Sequence, residues 1–416
     1  MDFQPVVNID FCNLFLLIVN IIFVVAIIYF LLKRIEETEE VFVEDSINRI
    51  IGEDIYATIN QPPFDRSQYD GYAVRSIDTK GANKNNGVKL NVVGESFAGN
   101  FTDREVKEKE AIRIMTGSKM PKGSDCVIKQ ELTDYGMDTV EIYQELNKFE
   151  NYSFEGEEIK KGSKLISKGE KITYIHIGII ASMGYEKVKV IRKPKVAIIS
   201  TGDEIIPLGE ALTEGKIYDS DRRMIHSKLK EFGCEIVHVT SIGDNSNDVA
   251  NEIDRIVDSV DLVITTGGVS VVKKDIIHDV VKILNAEKVF WKIHLKSGIP
   301  VVYSVYKNKP ILSLSGNPFA ALSIFDLLSK PILYKLTNDP NLETITTYAV
   351  MEDDFLKISK RRRMEKAIYK DGKVYLANKD HPAGALGRMI GCNCLIDIED
   401  RTEKIIKGDK VKVIIL

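Results

Sequence analysis

Residues 193–336 carry the strongest indication of how this chain folds. Continuous apolar runs such as "KVAIIS" and "DLVITTGG" alternate there with amphipathic stretches such as "SDRRMIHSKLKEFG" and "DVANEIDRIVDS". Strands that are buried on both faces lack polar alternation, and helices between such strands place them in parallel. The sequence therefore predicts a doubly wound, mostly parallel sheet over this range, as the central part of a multidomain α/β chain.

The flanking regions are predicted to form smaller β units. Residues 70–145 alternate short β-rich runs with Gly, Asn and Asp turns, which is typical of a small, mostly antiparallel module inside an N-terminal α/β region of residues 36–192. Short strands and turns return over residues 345–416 and predict a C-terminal β domain. A length of 416 residues agrees with several domains, since one domain usually spans about 100–200 residues.

An uncharged apolar segment dominates the N-terminal residues 1–35. It extends from Phe11 to Leu32 as "FCNLFLLIVNIIFVVAIIYFLL" and is followed by Lys33 and Arg34. A helix of this length can cross a bilayer of about 30 Å, and the two cations favour a cytoplasmic C-terminal side. The segment predicts a membrane anchor that attaches a cytoplasmic catalytic body to the inner face of the membrane. A buried helix and a wrongly assigned gene start are the alternatives.

Composition disfavours a nucleic-acid partner and a cysteine- or histidine-bound metal. Lys and Arg total 57 against 61 Asp and Glu, for a formal net charge of -4, so the chain has no bulk attraction for polyanions. The five cysteines and six histidines form no pattern with zinc-ligand spacing. We therefore expect reduced thiols and no binding of nucleic acid.

Three glycine-bearing loops follow predicted strands of the central sheet and indicate a ligand site. In a doubly wound sheet, ligands bind beyond the carboxyl ends of the strands, where backbone N–H groups can cradle an anion. The loops are "STGDEI", "TTGGVSVVKKD" and "SLSGNPF", with the candidate binding residues Gly267, Gly268, Ser270, Gly316, Asn317 and Pro318. Neither a Walker A nor a G-x-G-x-x-G motif occurs, so a phosphate-containing ligand is predicted without an NTPase or a dinucleotide dehydrogenase. The alternative is that these loops only turn the chain.

Carboxylates and lysines are the second set of candidate site residues. Hard cations such as Mg²⁺ take oxygen ligands and share them with substrate phosphates, so loop acids suit a metal-assisted phosphate reaction. Lys292 and Lys296 are four residues apart and would point the same way on a helix or a strand, where they could hold an oxyanion. A turn or cap role is the alternative for each acid taken alone. The loop acids are Asp70, Glu158, Glu204, Asp244 and Asp275.

Six separated motifs resemble the molybdopterin molybdenumtransferases, the MoeA and gephyrin E-domain family. In chain order they are "PPFDRSQYDGYAV", "IMTGSKMPKGSDCVIKQE", "STGDEI", "DLVITTGGVSV" followed by Asp275, "WKIHLKSG" and "LSGNP". The resemblance covers about residues 36–416. It implies a homodimer whose active cleft is shared between two chains, and a reaction in which adenylylated molybdopterin receives molybdate and releases AMP with the help of Mg²⁺. It also leaves open a contact with the adenylyltransferase of the preceding step.

The resemblance also implies roles for the matching positions. Lys292 and Lys296 would meet molybdate or phosphate, and Gly71 would permit substrate to approach Asp70. The positions implied to be catalytic are Asp70, Thr116, Glu204 and Asp275. The positions implied to hold the metal are Glu204, Asp244 and Asp275. The positions implied to bind substrate are Glu158, Gly267, Gly268, Ser270, Lys292, Lys296, Gly316, Asn317 and Pro318.

Several positions depart from the family pattern and keep two other functions open. Glu158 replaces an aspartate, Asp221 an asparagine, Val272 a glycine and Ile299 a lysine. Of these departures, the absence of a lysine at Ile299 weakens oxyanion capture most, and reduced activity or a preference for tungstate would follow from it. One alternative is a molybdopterin adenylyltransferase, which shares the central domain but lacks the "DGYA" and "MTG" motifs. The other is a non-catalytic molybdopterin-binding or membrane scaffold.

Overall fold

A computed structural model describes residues 21–269, 276–296, 300–358, 361–377 and 385–416, with side chains from residue 24 onward. The chain divides into two compact units. One is Glu40–Val190, and the other joins Ile191–Leu416 to the chain before Glu40. Over the described ranges, the α-helices are α1 (Ile21–Leu31), α2 (Tyr174–Ser182), α3 (Ser220–Glu231), α4 (Ser246–Ile256), α5 (Ile276–Ile283) and α6 (Pro318–Thr337).

A five-stranded sheet forms the centre of the Glu40–Val190 unit. Its strand order is β7-β4-β6-β5-β8, and every neighbouring pair is antiparallel except β5 with β6. Tyr72, Leu90 and Ile128 are among its fully buried side chains, and the prediction of a small, mostly antiparallel β module is confirmed. The strands up to Ile191 are β1 (Thr38–Phe42), β2 (Ile55–Tyr56), β3 (Arg66–Ser67), β4 (Gly71–Val74), β5 (Val88–Ser96), β6 (Glu110–Ile114), β7 (Cys126–Lys129), β8 (Thr139–Ile142), β9 (Tyr152–Ser153), β10 (Lys164–Ile166) and β11 (Lys187–Ile191).

A six-stranded sheet with helices on both faces forms the centre of the other unit, as predicted. Its order is β15-β12-β16-β19-β18-β17, with β15, β12, β16 and β19 in parallel and the last two strands antiparallel. Ala197 and Ile199 of β12 pack against α4 and α5, whereas α3 and α6 lie against the opposite face. The strands of this part of the chain are β12 (Lys195–Thr201), β13 (Ile205–Ile206), β14 (Ile217–Tyr218), β15 (Glu235–Ile242), β16 (Leu262–Thr266), β17 (Glu287–Trp291), β18 (Val301–Tyr306) and β19 (Lys309–Leu314), of which β13 and β14 form a separate two-stranded sheet.

The C-terminal β domain is a closed five-stranded barrel. Its strand order is β20-β22-β21-β23-β24, around a core that includes Met351, Ile396 and Val413. A buried ion pair of 2.6 Å joins Lys366 of the barrel to Asp326 of α6. The strands are β20 (Thr346–Met351), β21 (Arg363–Lys370), β22 (Lys373–Leu376), β23 (Cys394–Ile398) and β24 (Lys410–Ile415).

Helix α1 contains the last part of the apolar N-terminal segment and packs against α6. Val24 and Ile28 are fully buried, and the rings of Tyr29 and Tyr334 lie 6.2 Å apart. Over the described ranges no helix combines the length and apolarity that a membrane crossing requires. The buried side of α1 packs against α6, and the predicted anchor stays a prediction. Phe30 of the same helix is 89% exposed, so the anchor and the buried helix both stay open for this segment.

Candidate functional site

The predicted glycine loops meet at one edge of the parallel sheet. Gly267 follows β16 with φ +89°, and a Cβ at this position would lie 2.2 Å from the carbonyl oxygen of Thr201 at the end of β12. A Cβ at Gly316, after β19, would lie 3.4 Å from the Cα of Gly267. The structure thus brings the loops after β12, β16 and β19 together, because the carboxyl ends of adjacent parallel strands share one edge.

Gly268, Asn317 and Pro318 have structural roles near the N-termini of α5 and α6. Gly268 has φ +64°, and a Cβ there would lie 2.5 Å from the Ile276 side chain. The Oδ1 atom of Asn317 accepts a 3.1 Å hydrogen bond from the Ala320 N–H and caps α6, and Pro318 occupies the first turn. Proline lacks the N–H that would be unsatisfied there. The capped N-terminus of α6 therefore lies beside the glycine loops, with the positive end of its dipole at this edge.

Asp203 joins the loops after β12 and β15, although it was not among the predicted site residues. Its Oδ1 atom accepts a 3.0 Å hydrogen bond from the Asp244 N–H, and its carbonyl accepts one of 2.7 Å from Lys216. Glu204, the next residue, is exposed. No neighbour in the described part of the chain donates a hydrogen bond to the Glu204 carboxylate or pairs with it. Asp203 thus fixes the loops and leaves Glu204 available to a ligand.

The carboxylates at this edge suit a hard cation. Among the described residues no group of three or more His, Cys, Asp or Glu side chains could hold a metal. Ser270 and Asp275, which were predicted to bind substrate and metal, lie outside those residues, as do Val272 and Ile299. Mg²⁺ is commonly held by one or two carboxylates together with substrate phosphates and water. Glu204 and Asp244 therefore fit the donor chemistry of Mg²⁺, and their metal role stays a prediction.

Lys292 and Lys296 lie in neither a helix nor a strand, so the regular spacing on which a shared direction was predicted is absent, and their common role stays a prediction. Strand β17 ends at Trp291, and Lys292 has the left-handed φ of +72°. Its Nζ atom lies 3.7 Å from the centroid of the Trp291 ring. The exposed Lys296 donates its backbone N–H to the carbonyl of Arg362 over 2.8 Å. The left-handed residue breaks the alternation on which the expectation depended.

In the Glu40–Val190 unit, Asp70 and Thr116 form a close pair. The Oδ1 atom of Asp70 accepts hydrogen bonds from the Thr116 N–H at 2.7 Å and from the Thr116 hydroxyl at 2.8 Å. These two bonds, the backbone one foremost, hold the pKa of Asp70 below its usual value. Asp70 is therefore a carboxylate at neutral pH, with its Oδ2 atom unused by hydrogen bonds in the described part of the chain.

Gly71 and Glu158 have structural partners in the same unit. A Cβ at Gly71 would lie 1.8 Å from the Ile128 carbonyl oxygen, so the pairing of β4 with β7 requires this glycine. Gly71 thus has a structural role in the sheet, and the interpretation that it admits substrate to Asp70 stays untested. Glu158 forms a 2.8 Å ion pair with Arg66, and its predicted contact with substrate stays untested.

Asp221 is a buried acid that was noted only as a departure from the family pattern. It is 6% exposed, and burial, with a smaller effect from the Asp219 charge, raises its pKa from 3.8 to about 7. The sequence contains a signal for this burial, since Asp221, Ile225 and Leu229 recur every four residues and share the buried face of α3. A titrating acid thus lies under the first turn of α3.

Comparison with known proteins assigns the two parts of the chain to one family. Residues 20–184 match the model described as the MoeA N-terminal region (domain I and II), and residues 197–335 match a probable molybdopterin binding domain. The chain is 33% identical over 378 residues to a molybdopterin molybdenumtransferase of Staphylococcus aureus, covering 90% of each protein. It is also 33% identical over 375 residues to the Staphylococcus epidermidis protein of that name, with coverage of 89% and 90%.

Solved structures agree with the sequence comparison. The molybdopterin biosynthesis MoeA protein from Pyrococcus horikosii superposes with a TM-score of 0.83 at 30% identity and covers 96% of this chain and 99% of its own. A second structure of the Pyrococcus horikoshii protein gives a TM-score of 0.78 at 27% identity. The predicted multidomain α/β fold class is thus confirmed, and the chain belongs to the molybdopterin molybdenumtransferase (MoeA) family.

Proposed function

We infer that this chain inserts molybdate into adenylylated molybdopterin and releases AMP, a step of molybdenum cofactor biosynthesis. The names of its relatives support this reaction. The observation that carries the proposal is the hydrogen-bonded pair of Asp70 and Thr116. The pair lies outside the region that matches the molybdopterin binding domain, so it favours the molybdenumtransferase over an adenylyltransferase that has the central domain alone.

Asp70 supplies a preorganised anion to the proposed site. Thr116 occupies one carboxylate oxygen with two donors, so the other oxygen is left to accept from a substrate N–H or O–H group. A carboxylate that is held in place before substrate binds needs little reorganisation during the reaction, which is the usual origin of electrostatic catalysis. We therefore assign Asp70 to orient the substrate and Thr116 to fix Asp70.

The sheet edge in the other unit supplies the groups that a phosphate-linked nucleotide requires. Backbone N–H groups of the glycine loops and the α6 N-terminus would bind phosphate oxygens. Glu204 and Asp244, together with Asp275, would hold Mg²⁺, which when bound neutralises phosphate charge as the P–O bond breaks. Lys292 and Lys296 would receive the molybdate oxyanion through their ammonium groups.

The proposal also includes partners and a location. Family membership supports a homodimer, a contact with the adenylyltransferase that supplies the substrate, and a catalytic body in the cytoplasm. Sedimentation of the purified full-length protein tests the dimer. Fractionation of untagged protein from native cells tests the N-terminal anchor, which would require recovery in the membrane fraction.

The reaction is tested by incubating purified protein with adenylylated molybdopterin, Mg²⁺ and molybdate. The proposal expects stoichiometric AMP release and loss of the adenylylated substrate. A parallel incubation with molybdopterin and ATP tests the adenylyltransferase, which would instead form the adenylylated product. Binding of adenylylated molybdopterin without AMP release would favour the non-catalytic scaffold and contradict the proposal.

A further inference from the structure

Trp291 is the single tryptophan of the chain and contacts one of the two proposed oxyanion-binding lysines. It is the last residue of β17 and packs on the core beneath α4 and α5. The rings of His278 and Trp291 pack edge to face, with an interplanar angle of 89° and their centroids 4.5 Å apart. The Nζ atom of Lys292 lies 3.7 Å from the Trp291 ring centroid. The indole of Trp291 thus packs against the core and also contacts the ammonium group of Lys292.

The backbone of Lys292 is shaped to make this contact. In an extended strand, consecutive side chains point to opposite faces of the sheet, as Phe290 shows by stacking on Tyr303 with centroids 5.4 Å apart. Lys292 instead has a φ of +72°, while its N–H donates to the Val301 carbonyl over 3.0 Å. The turn ends the alternation and lets the Lys292 side chain fold back over its neighbour.

Lys292 differs in its partner from the lysines of this unit that pair with carboxylates. Lys307 pairs with Asp254 at 2.8 Å, and Lys366 pairs with Asp326 at 2.6 Å. Over the described residues, Lys292 has no carboxylate partner. An aromatic face attracts a cation without neutralising it. The ammonium group therefore lies against a ring rather than a counter-ion, and its N–H groups can donate to an incoming anion.

We propose that Trp291 is a positioning residue that holds the Lys292 ammonium over its ring, where the ammonium group can bind an oxyanion. This inference rests on the proposed function, since it takes molybdate as the oxyanion that Lys292 meets. Molybdate would bind the N–H donors of Lys292 that the ring leaves uncovered, so its binding places an anion beside the indole and changes the environment of the ring. Loss of the ring leaves the lysine side chain free to sample other rotamers and weakens capture of molybdate.

The emission of Trp291 tests this directly in the full-length protein, because no other tryptophan contributes. Titration with sodium molybdate is expected to give a saturable change in emission. The Lys292→Met variant should reduce its amplitude about fivefold or more, since the cation is gone. Lys288→Met, at an exposed lysine of β17 outside the proposed site, is the matched control and should keep both the midpoint and the amplitude. Unchanged emission in the unsubstituted protein, or an equal amplitude in Lys292→Met, would overturn the proposal.

Turnover measurements supply a second and independent readout. Trp291→Leu should raise the KM for molybdate about tenfold with kcat nearly unchanged, and Trp291→Phe, which keeps an aromatic face, should raise it no more than about threefold. Equal KM values in the two variants would contradict a role for the ring. The emission titration needs no substitution at Trp291, so it decides the question even if the leucine variant does not fold. Absence of AMP release from the unsubstituted protein would instead refute the proposed function alone.

Discussion

The two units of the chain prepare their candidate site residues in different ways. In the Glu40–Val190 unit, a side chain is fixed, because Thr116 donates two hydrogen bonds to Asp70. In the unit that contains the parallel sheet, the backbone is fixed, because Gly267 adopts a conformation and a closeness to Thr201 that a Cβ would forbid. The Asp70 arrangement depends on the chemistry of a side chain, whereas the Gly267 arrangement depends on the absence of a side chain. Substitutions in the Glu40–Val190 unit should therefore reduce activity with little loss of stability, and a substitution of Gly267 should reduce both.

The largest effect is expected for Gly267→Ala. The new methyl group would lie 2.2 Å from a backbone oxygen, at a residue with φ +89°, so the loop after β16 must move. We expect a loss of more than about 2 kcal/mol of stability, together with loss of AMP release. Gly94→Ala is the control, because a Cβ there meets no atom within 4 Å. Equal thermal midpoints for the two variants would show that the backbone arrangement is not required.

Asp221→Asn is expected to stabilise the protein in a pH-dependent way. The native pKa of Asp221 is about 7 against an ordinary 3.8, so between these values the unfolded chain has released a proton that the native protein keeps. Stability from this group is thus full below pH 4 and falls until about pH 7. The advantage of the Asn variant should grow by about 2 kcal/mol from pH 5 to pH 8, as measured by thermal unfolding. A constant difference over that range would contradict the burial of a titrating acid.

Substitutions of Asn317 distinguish its cap from its predicted contact with substrate. Asn317→Ala removes the acceptor for the Ala320 N–H and should lower stability by about 1 kcal/mol. Asn317→Asp keeps an acceptor and adds negative charge, so it should fold as well as the unsubstituted protein but bind the phosphates of the nucleotide more weakly. Thermal unfolding and titration with AMP measure the two effects. An Asp variant that binds AMP normally would remove Asn317 from the site.

The smallest effect on stability is expected for Thr116→Val. This variant loses the hydroxyl donor to Asp70 but keeps the backbone N–H, which is the larger cause of the lowered Asp70 pKa. We expect a stability change of no more than about 1 kcal/mol and a reduction of AMP release by about tenfold. Thr116→Ser restores the hydroxyl and should recover the rate. If Ser and Val variants turn over equally fast, the hydroxyl has no part in fixing Asp70.

Sequence periodicity predicted the regular parts of the molecule well and the irregular ones poorly. Apolar runs and amphipathic stretches gave the parallel sheet, and strand order then brought Gly267 and Gly316 together. The orientation of Lys292 could not be predicted, because a left-handed lysine leaves no mark in a hydrophobic pattern. The structural need for Gly71 was equally hidden, since it arises from the approach of Ile128 in a distant strand.

The apolar N-terminal segment illustrates a further limit. An apolar pattern predicts that a helix is removed from water but does not identify what covers it. A bilayer and a second helix can each cover the same apolar residues. Val24 and Ile28 of α1 are covered by protein, and the covering residues on α6 lie about three hundred positions further along the chain. Only tertiary structure could supply that information.

AMP release by the Asp70→Asn variant tests the central claim most directly. The amide keeps an oxygen for both Thr116 donors and removes only the negative charge, so the fold should be retained. We expect release of AMP to fall by about a hundredfold or more, while Asp103→Asn, at an exposed aspartate of the same unit, keeps the full rate. An Asp70→Asn protein that releases AMP as fast as the unsubstituted protein would contradict the assignment of Asp70 to the active site.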